Sequence, residues 1–149
     1  FDDEGVKTKR RVVVDDGKLQ GYFLSTYSAR KLGMQTTGNS GGSHHLKLRS
    51  KLTPPNQTLD DLLKQMGTGL LVTEVMGQGV NYVTGDYSRG AFGYWVENGQ
   101  ICYPVEEITI AGNLKEMFMN IATIGGDALV RGTKETGSIL INEMMIGGN

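Results

Sequence analysis

Apolar positions along this chain follow two periods, and the changes between them mark its elements. In "RRVVVDDGKLQGYFL" (10–24) the run breaks at Asp16-Gly17, a pair that tolerates the positive φ of a type I′ turn. A hairpin is predicted there, with Val14 opposite Leu19. "TYSARKLG" (26–33) follows as a short helix that Gly33 stops. "TTGNSGGSHH" (36–45) is loop by composition. "HLKLRS" (45–50) then alternates as a strand, with Leu46 and Leu48 inward and Lys47 and Arg49 outward.

Pro54 and Pro55 precede a clearer helix, "TLDDLLKQM" (58–66). Thr58 is its cap, Asp61 completes a capping box, and Leu59, Leu62, Leu63 and Met66 form one apolar stripe. "LLVTEVM" (70–76) reads as a buried strand, or as a strand running into a turn. Farther on, Asn98-Gly99 is a second hairpin turn, which sets Val96 opposite Ile101, Tyr94 opposite Tyr103 and Trp95 opposite Cys102. "EEITIAG" (106–112) continues as strand. Asn113 caps another amphipathic helix, with Glu116 three residues on and Leu114, Met117, Phe118 and Ile121 as its stripe. A Gly-rich polar passage (125–137) leads to a closing strand, "SILINEMMIGGN" (138–149). "ITIAGN" (108–113) and "MMIGGN" (144–149) echo each other, which suggests two strand ends close together. The expected fold is α+β and β-rich: antiparallel hairpins and sheet with two or three short amphipathic helices packed on it.

With 149 residues the chain is expected to form one domain, 1–149. It opens on Phe1 without an initiator Met, so it reads as a C-terminal domain fragment of a longer protein. Hydrophobic residues at 38% and charged residues at 21% fit a globular chain rather than a disordered one. The 22 glycines show no collagen-like period and point to turns, bulges and close backbone approaches.

A net charge of −1 weighs against nucleic-acid binding, which leans on a basic face. The one basic cluster, Lys7, Lys9, Arg10 and Arg11, is split between two faces by strand alternation. A single cysteine, Cys102, allows no internal disulfide and fits a reducing compartment, so a cytoplasmic location is expected. No apolar run approaches the ~20 residues of a membrane-spanning helix.

The chemical candidates are few. His44 and His45, adjacent on a strand, point to opposite faces and make a poor pair of ligands for one metal. Either one borders the core and the other is exposed, or one touches a ligand or partner subunit. Cys102, with no nearby His or Lys to activate it, reads as a small buried hydrophobe. "TGNSGGS" (37–43) has the glycines of an anion-binding nest but lacks the Lys-Ser/Thr of a P-loop, so a structural or interface loop is favoured. "VTGDYS" (83–88) holds Thr84, Asp86, Tyr87 and Ser88 without a base for the serine or a second carboxylate.

Several long segments carry a resemblance: "FDDEGVKTKR", "YSARKLGMQTTGNSGG", "GTGLLVTEVMGQGVNYVTGDYSRGAFGYWVENGQICYPVEEITIAGNL" and "GSILINEMMIGG". They resemble the C-terminal region of the TldD/PmbA family, in its PmbA/TldE-like branch, nearly end to end. The resemblance implies a cytosolic bacterial zinc metalloprotease of two related subunits. It also implies action on unfolded peptides, in peptide-antibiotic maturation and antitoxin degradation.

In that family the TldD-like subunit carries a zinc-binding HExxxH helix and a Cys ligand in a Gly-rich passage before the final strands. The matching passage here, "RGTKETGSIL" (131–140), has no cysteine. The HExxxH helix would lie before Phe1, and PmbA-type subunits lack it. The resemblance therefore implies the non-catalytic subunit of a heterodimer, with no metal or cofactor in this chain and zinc in a TldD-like partner. Asn39, Gly42 and His44 are expected at a subunit interface or peptide channel. Asn81, Thr84, Asp86, Tyr87 and Ser88 are expected there too. The alternatives are a DNA gyrase modulator acting as a binding module, and a metal hydrolase that uses His44 or His45.

Overall fold

The computed structural model describes residues 1–148. In chain order the elements are β1 (Val14–Asp15), β2 (Lys18–Leu19), α1 (Thr26–Lys31), β3 (Leu46–Leu48) and α2 (Leu59–Met66). Next come β4 (Gly69–Met76), β5 (Asp86–Glu97), β6 (Gln100–Asn113), α3 (Leu114–Met119) and β7 (Ile121–Ile124). The last are β8 (Leu129–Arg131), β9 (Lys134–Thr136), β10 (Ile139–Ile141) and β11 (Met145–Gly147). The fold is α+β and β-rich with antiparallel pairing, as the pattern predicts. Two compact units divide the chain. One joins Phe1–Lys51 to Val130–Glu135, and the other joins Leu52–Leu129 to the segment that begins at Thr136.

In the first unit, β1 and β2 pair as predicted, Val14 with Leu19, across Asp16 (φ 52°) and Gly17 (φ 72°). Ser25 caps α1 in a reciprocal box with Ser28, and Gly33 follows the helix at φ 65°. Ala29 of the helix and Leu24, just before its cap, are buried.

The three-stranded sheet β3-β9-β8 corrects two expectations. First, the polar passage before the closing strand contains β8 and β9, which turn at Gly132 (φ 58°). Second, Leu46 and Leu48 are not inward; both are exposed, while Lys47 and Arg49 grip buried Glu135 of β9. Alternation shows that a strand's two faces differ. It does not show which face finds a partner, and here the charged row does.

In the second unit the sheet order is β11-β6-β5-β4. Its core is Ala91, Ile108 and Ile110, with Leu70, Val72, Val75 and Val105 packed against them. Burying each large aliphatic side chain contributes roughly 1.5–3 kcal/mol. α2 carries the predicted capping box between Thr58 and Asp61, and it buries Leu62 and Leu63.

The β5–β6 hairpin turns at Asn98 (φ 52°) and Gly99 (φ 72°), and Val96 faces Ile101 as predicted. Beyond that pair the predicted register fails: Trp95 faces Tyr103 and Tyr94 faces Pro104. Cys102 is the extra residue of a bulge, two residues before Pro104, which cannot donate to the ladder. For the same reason Cys102 is exposed rather than buried. Two further bulges flank Phe92 and Gly93, one in β4 between Val72 and Glu74, the other in β6 where Glu107 has φ 56°.

Asn113 does cap α3, but the helix ends at Asn120, so Ile121 starts β7 and Phe118 is left exposed. The closing segment is two strands rather than one, because β10 pairs with β7 while β11 pairs with β6. The internal echo is therefore a direct pairing: Met145 faces Ala111 and Ile146 faces Ile110. Asn149, the end of that echo, lies outside the described residues.

Candidate functional site

The β4–β5 connection is the most heavily hydrogen-bonded turn of the second unit. Gly77 (φ 76°) takes the chain out of β4, and Gly79 lies so close to the Ser88 carbonyl that no Cβ fits. Asn81 then organises the tip. Its side-chain oxygen accepts from Val83 N (2.9 Å) and Thr84 N (3.2 Å), and its carbonyl accepts from Gly85 N (2.8 Å). Asn81 N donates to Asp86 O (2.8 Å), and Ser88 N to Gly79 O (2.7 Å).

Thr84 Oγ1 donates to Asp86 Oδ2 at 2.6 Å, and Asn113 Nδ2 donates to Thr84 O (3.0 Å) and Asp86 Oδ1 (3.4 Å). Leu114 N closes the set on Gly85 O at 2.7 Å, which ties the start of α3 to the turn.

Asp86 and Ser88 alternate along β5, so they share a face and leave Tyr87 on the other, against the Ala91–Ile108 core. On the Asp86 side lies an open hollow of about 340 Å³, lined by Gln78, Gly79, Val80, Asn81, Asp86 and Ser88. The structure thus brings Asn81, Asp86 and Ser88 to one hollow. Thr84 does not line it but hydrogen-bonds Asp86, and Tyr87 is not part of it. The hollow offers a carboxylate, an amide and a hydroxyl to hydrogen-bond a polar ligand or backbone. Among the described residues no histidine or lysine side chain is seen hydrogen-bonded to Ser88, the contact a nucleophile–base pair would show.

Asn39, Gly42 and His44 belong to the first unit. Asn39 and Gly42 close a turn, with Gly42 N on Asn39 O (3.0 Å) and Asn39 Nδ2 on Gly42 O (3.3 Å). Arg11 braces that turn from the side, donating to Asn39 Oδ1 (3.1 Å) and Tyr22 O (2.6 Å) while stacked 5.0 Å from the Phe23 ring centre. His44 is exposed and stands outside this turn.

Two acidic residues that the sequence reading passed over are buried here, Asp2 and Glu135. Glu135 Oε1 takes Arg49 (2.6 Å), and Oε2 takes Lys47 (2.6 Å) and His45 Nε2 (3.2 Å). Lys47 and Arg49 hold its carboxyl down at about 2, against the opposing effect of burial. In sequence, His45, Lys47 and Arg49 recur at period two on one strand face, which aligns three basic residues but does not point to their partner. Among the described residues no three His, Cys, Asp or Glu side chains come together as metal ligands. Nor is any described helix long and apolar enough to cross a membrane.

Comparison with known proteins places this geometry in a family. The family model for the PmbA/TldA metallopeptidase C-terminal domain matches residues 1–148. The chain is 54% identical over 148 residues to Metalloprotease PmbA of Escherichia coli O157:H7, covering 99% of this chain and 32% of that protein. It is 56% identical over 149 residues to the Metalloprotease PmbA homolog of Haemophilus influenzae, again with 32% of the relative covered. A crystal structure from Thermotoga maritima, named provisionally as a modulator of a DNA gyrase, superposes with a TM-score of 0.86 at 36% identity. That likeness covers 99% of this chain and 35% of the other. The chain thus spans about a third of the length of these relatives. From Phe1 onward it belongs to the PmbA/TldA metallopeptidase family, as the C-terminal domain of that fold.

Proposed function

We propose that this domain serves the non-catalytic, PmbA/TldE-like subunit of a cytosolic two-subunit zinc protease whose zinc is held by a TldD-like partner. The observation that carries the reading is a gradient of likeness. Identity is 54% and 56% to PmbA proteins, but 26% and 28% to TldD homologs over 85% and 83% of the chain. In this reading the 77–88 turn presents its hollow to a partner subunit or to the backbone of an unfolded peptide, which can be recognised through main-chain groups regardless of sequence.

The test mixes the full-length protein with its TldD-like counterpart and follows co-purification and cleavage of an unfolded peptide. Asp86→Ala, which removes the acceptor for Thr84 and Asn113, and Ser88→Ala, on the same hollow, should each weaken assembly or cleavage. Unchanged assembly and cleavage in both variants would remove the turn from the account. A second reading, a gyrase-modulating binding module, is favoured by the name of the Thermotoga relative. Salt-dependent binding of the full-length protein to duplex DNA would support it, although a net charge of −1 offers phosphates little attraction.

A further inference from the structure

Glu135 is buried among cations, but Asp2 is buried among backbone amides. Its Oδ1 accepts from Glu4 N (3.0 Å) and Val6 N (2.8 Å), and its Oδ2 reaches across the chain to Ser40 N (2.9 Å). Burial pushes its carboxyl up, yet the amides of Ser40, Val6 and Glu4 outweigh that and hold it below its ordinary value. The two flanking acidic residues grip other points. Asp3 N donates to Ser40 O (3.3 Å), and a Cβ added to Gly41 (φ 84°) would stand 2.7 Å from Asp3 Cγ. Glu4 accepts from Thr26 N (2.8 Å) and Thr26 Oγ1 (2.9 Å) at the first residue of α1. The loop also returns to the residue before the α1 cap, with Leu24 N on Thr37 Oγ1 (2.8 Å) and Thr36 Oγ1 on Leu24 O (3.0 Å).

We propose that Asp2–Glu4 is a clasp that couples the path of the chain's first residues to the conformation of the loop carrying Asn39 and Gly42. A buried carboxylate is costly unless its acceptors are filled, so Asp2 can stay in place only while the loop presents Ser40 N. The Ser40 amide of this loop is therefore occupied from within, by the protein's own carboxylate. Displacing the segment unfills Ser40 and frees the 38–42 turn; distorting the turn expels the segment. Such coupling is reciprocal, and reciprocity distinguishes it from two adjoining but independent structures.

Hydrogen exchange on the full-length protein tests this from both sides. Asp2→Asn cannot fill all three amides, so exchange at Ser40 should rise ~10-fold or more, together with Glu4 and Val6. Gly41→Ala, which crowds Asp3 from the loop, should raise exchange at Glu4 and Val6, residues it does not touch. The β5–β6 amides should stay protected in both variants. If each substitution loosens only its own side, the clasp does not exist. Should Asp2→Asn open the β5–β6 amides as well, the chain has unfolded. Gly41→Ala then decides by the same criterion, with Glu4→Ala, which removes both acceptors of Thr26 and should free Thr26 and Ser40 together.

Discussion

Gly93 occupies the tightest point of the four-stranded sheet. It is buried in β5 between Val72 of β4 and Val105 of β6, with bulges on both sides. A Cβ there would overlap the Leu71 carbonyl oxygen and lie 2.9 Å from Leu71 C and 3.0 Å from Val72 Cα. All three are backbone atoms, so no side-chain rotation relieves the clash, and β4 must move away from β5. Overpacking costs about 1–3 kcal/mol where neighbours can adjust; immovable backbone puts Gly93→Ala near 3 kcal/mol or above. In a chain of this length each kcal/mol lowers Tm by about 2–4 °C, so a drop of roughly 6–12 °C is expected.

Two internal controls separate crowding from the generic effect of losing a strand glycine. Gly90, in the same strand, would place its Cβ 3.4 Å from the flexible Met76 Cε, and Gly147 of β11 would meet nothing within 4 Å. Ala at either position should leave Tm unchanged or raise it slightly, since glycine costs a strand roughly 0.5–1 kcal/mol relative to alanine. Thermal unfolding followed by circular dichroism orders the three variants. If Gly93→Ala melts together with Gly90→Ala, the crowding argument is wrong.

Glu135 has a folded-state pKa of about 2 against an ordinary 4.5, so its contribution is fully present above 4.5 and is lost as pH falls through 2. Glu135→Gln should flatten the acid limb of the stability curve in that window and leave its shape near neutrality alone; an identical acid limb would contradict the assignment. Thr58→Ala removes the α2 capping box and should cost about 1 kcal/mol by urea denaturation, with no change in m-value. Exposed Cys102 should react with a thiol reagent in the native chain nearly as fast as in urea, whereas a buried thiol would react only on unfolding.

Much of the fold was legible because local chemistry decided it. Asp16-Gly17, Asn98-Gly99 and the Thr58–Asp61 box each act within a few residues, and all three formed as read. What was not legible depends on partners distant in sequence. The Trp95–Tyr103 register hangs on a bulge two residues before Pro104, and the covered face of β3 hangs on Glu135, 86 residues from Arg49. The candidate site shows the same division. Asn81, Asp86 and Ser88 meet at one hollow because they share a single turn and strand. Asp2 could be read locally only as a turn former for Glu4 and Val6; its hold on the glycine loop runs through Ser40, 38 residues away.

In the proposed division of labour this domain supplies binding surface while another subunit holds the catalytic ion. Metal analysis of the purified full-length protein, paired with cleavage of an unfolded peptide with and without the TldD-like counterpart, tests it most directly. The expected result is substoichiometric zinc and no cleavage alone, with cleavage appearing in the mixture. One zinc per chain coordinated by these residues, with hydrolysis needing no second protein, would contradict it.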